Sequence, residues 1–208
     1  MSDLPGTLVG IVDDDPSVRK GLARLVKSAG YRVEVFASAR DFLTRPQRED
    51  PSCLLIDVRM PGLTGLELQD ALAVAGRRMS IVFVSGHGDV AGSVKAMKGG
   101  AVDFLTKPVD AHELLSAIER AVAQAFRTQR EQAGATDVQG RLKTLTAREA
   151  QVFALVVTGM LNKQIAAELG IVQKTVKVHR ARVMEKMRAG SLAELVRLAD
   201  RAGIIAKP

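Results

Sequence analysis

Four short apolar runs stand out along the first half of the chain, and each ends in a polar group. Leu8-Val9-Gly10-Ile11-Val12 runs into Asp13-Asp14-Asp15, and Cys53-Leu54-Leu55-Ile56 runs into Asp57. Ile81-Val82-Phe83-Val84 meets Ser85, and Val102-Asp103-Phe104-Leu105-Thr106 meets Lys107-Pro108. Runs of this length bounded by turn formers read as buried strands, and Arg32 to Phe36 adds a fifth. The stretches between them have helical punctuation. Asp15 caps and Pro16 opens a helix to Ala29, with Gly30 as its stop. Ser38-Ala-Arg-Asp41 starts a short helix, Thr64-Gly-Leu-Glu67 is a capping box, Asp89 to Lys98 is a fourth helix, and Asp110-Ala-His-Glu113 opens a fifth that runs to about Arg127. Strands alternating with helices predict a parallel sheet covered on both faces. An acid-rich first βα turn without a glycine fingerprint favours the flavodoxin-like strand order 2-1-3-4-5.

The pattern then changes. Residues 128–140 offer almost nothing a core could use and read as a linker, so the chain divides into 4–121, a helical extension and linker over 122–140, and 141–208. The last segment has no strands. Thr146-Ala-Arg-Glu149 is a capping box, Asn162 caps a helix to Leu169 that Gly170 ends, a longer helix spans about Gln173 to Met187, and Ser191-Leu-Ala-Glu194 caps the last, which Gly203 stops. Four short helices predict a small all-α domain.

Charge sharpens this division. Residues 1–121 carry 15 Lys/Arg against 16 Asp/Glu, whereas 122–208 carry 15 against 7. The second half is the one expected to meet a polyanion. One cysteine, Cys53, excludes an intramolecular disulfide framework and fits a reducing compartment, and its place inside a strand run makes it core. No stretch approaches the ~18 apolar residues of a membrane span, and Met1 to Thr7 is short and polar, so a cytoplasmic protein without membrane association is expected.

In an open parallel sheet, ligands bind outside the carboxyl ends of the strands. Folding therefore gathers Asp13, Asp14, Asp57, Ser85 and Lys107 into one crevice. One or two carboxylates suffice for Mg²⁺, which keeps several waters. Asp57 is placed to attack a phosphoryl group, with Lys107 pairing one phosphoryl oxygen and Ser85 donating to another.

The stretches Ile11-Val-Asp-Asp-Asp15, Leu55-Ile-Asp57-Val-Arg-Met-Pro-Gly62, Val84-Ser85-Gly-His-Gly88 and Asp103-Phe104-Leu-Thr-Lys107-Pro108 resemble the receiver domain of two-component response regulators. The resemblance implies Asp57 as phosphoacceptor, Asp14 as a direct Mg²⁺ ligand, Asp13 acting through water and the Arg59 carbonyl as a third contact. It also implies a cis bond before Pro108 and a coupled switch pair of Ser85 and Phe104. Ser85 stands where threonine is commoner, and Arg59 and His87 flank the pocket where the family tunes dephosphorylation.

In the second half, a helix, a Gly-Ile-Val turn and a second helix have the form of a helix-turn-helix. On the second helix Val176, Val183 and Met187 share a core stripe. Lys174, Lys177, Val178, Ala181 and Arg188 lie on the other side, with Glu185 the acid among them, which suits phosphates, guanine edges and thymine methyls. Arg180 falls near the core stripe, so its stem packs while its head reaches phosphate. Leu145-Thr-Ala-Arg-Glu149, Asn162-Lys-Gln-Ile-Ala-Ala-Glu-Leu-Gly-Ile171 and Thr175-Val-Lys-Val-His-Arg180 resemble the LuxR-type helix-turn-helix of the FixJ/NarL family, closest to the FixJ subgroup. This implies base contacts near Lys177, Val178 and Ala181, and phosphate contacts near Lys174, Thr175, His179 and Arg180. Val172 replaces a serine usual in the family and removes a possible cap.

Together these resemblances imply a transcription regulator activated by phosphorylation, whose partners are a sensor histidine kinase, double-stranded DNA, RNA polymerase and a second copy of itself when phosphorylated. Its only catalysis would be its own phosphorylation and dephosphorylation. A DNA-binding regulator with no phosphorylation control is the alternative. A phosphoaspartyl hydrolase of the haloacid-dehalogenase type would need an Asp two residues after the nucleophile, where this chain has Arg59.

Overall fold

The computed structural model describes residues 6–46, 49–77, 79–86 and 90–204, which form two compact units, Met1–Thr128 and Gln129–Pro208. In the first unit β1 (Leu8–Val12), β2 (Arg32–Phe36), β3 (Cys53–Asp57), β4 (Ser80–Ser85) and β5 (Asp103–Thr106) form one sheet in the order β2-β1-β3-β4-β5. Every pairing is parallel. Side chains alternate across each strand, so two cores form. Val9, Ile11, Cys53, Leu55, Val82 and Val84 meet Val26 of α1 (Pro16–Ser28) and Leu114 and Ile118 of α5 (Ala111–Leu142). Val12, Leu54, Ile56, Ile81 and Phe83 meet Phe42 of α2 (Ala39–Thr44), Leu68 and Leu72 of α3 (Gly65–Val74) and Ala96 of α4 (Val90–Lys98). Burial on both faces is why β1, β3 and β4 are continuous apolar runs rather than alternating ones. Burying each such Leu, Ile or Phe contributes about 1.5–3 kcal/mol.

The helix starts follow their caps. Asp15 accepts from the Ser17 and Val18 N–H groups, Ser38 accepts from that of Asp41, and Thr64 and Glu67 close a reciprocal box. Asp89, expected to begin α4, and His87 lie outside the described residues.

The second unit packs α6 (Ala147–Val157), α7 (Asn162–Leu169), α8 (Gln173–Met187) and α9 (Leu192–Arg201) around Val152, Phe153, Ile165, Val176, Val183, Met187 and Leu195. Two expectations are corrected here. The stretch 128–140 is helical throughout, because α5 continues to Leu142 instead of stopping near Arg127. Its Ala, Gln, Arg and Glu residues are good helix formers, and Gly134 and Gly140 cost only about 1 kcal/mol each. This stretch also feeds a core, since Val138 is 2% exposed in the second unit's cluster. The other correction concerns Asn162. It is the first residue of α7 and not its cap, which is Leu161. Its amide oxygen instead accepts from Arg180 Nη1 of α8 at 3.0 Å.

Candidate functional site

The sheet register places the reactive groups. Val12 pairs with Ile56, so Asp13 and Asp57 leave adjacent strand ends together. Asp57 lies beside Val84, and Ser85 beside Thr106, which brings Ser85 and Lys107 to the same edge. The Lys107 ammonium bridges the two acids, with Nζ 2.7 Å from Asp13 Oδ2 and 3.1 Å from Asp57 Oδ2. Asp13 Oδ1 accepts from the Asp15 N–H at 2.9 Å, and Asp57 Oδ1 from the Arg59 N–H at 3.4 Å. Asp13, Asp57 and Ser85 are buried, at 1%, 8% and 1% exposure, whereas Asp14 and Arg59 are exposed.

Burial pushes the Asp57 carboxyl above the usual carboxylate range, and neighbouring Asp13 pushes the same way against the pull of Lys107. Burial by itself would lower Lys107, but its hydrogen bonds to Asp13 and Asp57 outweigh this and raise it. These directions describe two crowded acids sharing one cation. Asp13, Asp14 and Asp57 each offer an oxygen, all within 4.8 Å of one another. An all-oxygen set with one exposed member fits a small hard cation that keeps its waters.

The Lys107-Pro108 bond is cis, as expected. Phe104 is half-buried on β5, its ring centroid 6.3 Å from that of Phe83. Sequence reasoning missed two neighbours of the pocket. Arg19 Nη1 of α1 donates to the Asp13 carbonyl. At Gly65 an added Cβ would fall 2.3 Å from the Asp57 carbonyl oxygen and 2.8 Å from Ile56 Cγ2. The Thr-Gly-Leu-Glu signal marked the cap of α3 but not how closely its first residue abuts Asp57.

On α8, Val176, Val183 and Met187 are buried as the wheel predicts. Lys174, Lys177, Val178 and Ala181 are exposed on the outward side, while Thr175, His179 and Arg180 are half-buried. Arg180 is half-buried, and its guanidinium donates to the Asn162 amide oxygen. Val172 caps α8 without any side-chain hydrogen bond. Behind α8, Lys186 Nζ reaches Glu149 Oε2 at 2.6 Å and the Thr144 carbonyl at 3.0 Å, and Arg141 Nη1 reaches the Met187 carbonyl at 2.9 Å. None of these ties was foreseen, because their partners lie far apart in sequence.

Among the described residues no helix is long and apolar enough to cross a membrane. Residues 9–119 match the response regulator receiver domain family, and residues 143–199 match the luxR family of bacterial regulatory proteins. Nodulation protein W of Bradyrhizobium diazoefficiens is 45% identical over 199 residues, covering 96% of this chain and 88% of the relative. The transcriptional regulatory protein FixJ of Azorhizobium caulinodans is 43% identical over 196 residues, covering 94% and 93%. The solved structure of the response regulator StyR superposes with a TM-score of 0.79 at 44% identity, covering 93% of this chain and 98% of its own. Full-length FixJ from B. japonicum gives a TM-score of 0.58 at 42% identity, with coverage of 96% and 98%. The two units, each with its own match, make this chain a member of the two-component response regulators that join a receiver domain to a LuxR-type DNA-binding domain.

Proposed function

We propose that this regulator is switched by phosphorylation of Asp57 from a sensor histidine kinase, and that the phosphorylated form dimerises, binds paired DNA half-sites and activates transcription with RNA polymerase. The observation that carries the reading is the Lys107 ammonium held between Asp13 and Asp57 at the carboxyl edge of the sheet, next to Ser85. An Asp57 oxygen attacks phosphorus in line, the bond to the donor's imidazole breaks, and the imidazole leaves. Asp13, Asp14, Asp57 and the Arg59 carbonyl would hold Mg²⁺, which supplies neutralisation of the phosphoryl charge. Lys107 then pairs with one phosphoryl oxygen and Ser85 donates to another.

The Ser85 movement frees space that Phe104 follows, and the surface of α4 and β5 changes. Exposed Val90, Val94 and Met97 on α4 support that surface as the dimer contact. On α8, Lys177, Val178 and Ala181 read base edges, and Lys174, Thr175, His179 and Arg180 hold phosphates. Regulatory relatives such as FixJ support a role in transcription.

Acetyl phosphate with Mg²⁺ should add one acid-labile and base-labile phosphoryl group to the wild-type chain and none to Asp57→Asn. Intact-mass measurement decides this, and equal labelling of both would rule out Asp57 as the acceptor.

A further inference from the structure

Among the described residues, positive φ is the province of glycine, with one exception. Gly6, Gly30, Gly62, Gly76, Gly100, Gly159, Gly170 and Gly203 take it, and so does Arg188 at φ 52° and ψ 43°. The comparison with α7 is direct, since that helix ends at Gly170 with φ 62°. An L side chain in this region crowds its own backbone, and glycine does not. Arg188 nevertheless closes α8, with its N–H on the Glu185 carbonyl at 3.0 Å and the Ala189 N–H on that of Met184 at 2.9 Å.

Among the described residues the Arg188 side chain makes no hydrogen bond. It is exposed and takes part in none of the ion pairs among the described residues. It does continue the outward stripe of Lys174, Lys177 and Ala181. At a rise of about 1.5 Å per residue it sits some three turns, about 16 Å, beyond Lys177. The major groove is about 12 Å wide. A helix that meets base edges with its N-terminal half and runs across the groove would carry this guanidinium past the groove's width to its far rim, where the phosphates are.

We propose that Arg188 is a DNA-phosphate contact at the C-terminal end of α8, held in a backbone conformation that suits glycine better because its charge is used. This rests on the reading of α8 as the DNA-contacting helix.

The full-length protein is titrated with a random-sequence duplex at several salt concentrations, and its melting is followed separately. Arg188→Gly should lower the slope of log affinity against log salt by about 0.9, the loss of one phosphate contact, while melting no lower than wild type. Arg188→Lys keeps the charge and should keep the slope. Lys174→Ala serves as the control for the face itself. If Lys174→Ala flattens the slope and Arg188→Gly does not, Arg188 is no contact and the proposal falls alone. If neither changes the slope, the DNA-contacting face is misassigned and the proposal falls with it. If Arg188→Gly melts lower than wild type, its role is in the fold and the proposal is overturned.

Discussion

Lys107 and Lys186 are the same side chain put to different uses. Each ammonium joins two oxygens that lie far from it in sequence: Asp13 and Asp57 for Lys107, Glu149 and the Thr144 carbonyl for Lys186. Lys107 was legible because it follows a strand run and precedes a proline, so a parallel sheet must deliver it to the ligand edge. Lys186 was not legible. It belongs to a helix with several outward cations, and nothing local says that it turns back to Glu149. Glu149 reads in sequence as half of a capping box, which it is, but it is also 2% exposed. The Lys186 hydrogen bond, with the Thr146 N–H behind it, holds its carboxyl down at about 2. A carboxyl depressed by folding stabilises the fold above its unfolded value and loses that contribution as pH falls through the folded one. The stability gap between wild type and Glu149→Gln should therefore be full above pH 4.5 and close as pH falls toward about 2. Melting curves across that range check it, and a gap independent of pH would contradict it.

At the scale of elements, caps and strand ends were legible because their signals are local. The Thr64 and Thr146 boxes form as their spacing predicts. The reach of α5 was not legible, because its evidence is one large apolar residue, Val138, in a mostly polar run whose partners come from other helices. The seat of α3 was hidden in a similar way. Gly65 reads in sequence as an indifferent position inside a capping box, yet the start of α3 lies so close to β3 that its N–H donates to the Val58 carbonyl at 3.0 Å. Gly65→Ala must push α3 off the strand end that carries Asp57, since its Cβ would meet the Asp57 carbonyl oxygen at 2.3 Å. Overpacking of this kind costs about 1–3 kcal/mol. The variant should melt several degrees lower and accept phosphoryl groups from acetyl phosphate more slowly, as time-resolved mass measurement would show. Unchanged melting would mean that the contact relaxes without strain.

The whole molecule joins a nearly neutral half, with its acids at a sheet edge, to a half with a large excess of Lys and Arg over Asp and Glu. Both halves were legible because their chemistry is concentrated: four strand ends in one, one helix face in the other. The proposed control of one half by the other would leave no local pattern, since it is a difference in free energy between two states. The central claim is that a phosphoryl group on Asp57 raises the affinity of α8 for DNA. It is tested most directly by titrating a duplex selected from a random pool with wild type and Asp57→Asn, each with and without acetyl phosphate and Mg²⁺. Affinity should rise on phosphodonor treatment for wild type and stay flat for Asp57→Asn. Equal affinity for the phosphorylated and unphosphorylated wild type, or an equal rise in Asp57→Asn, would contradict it.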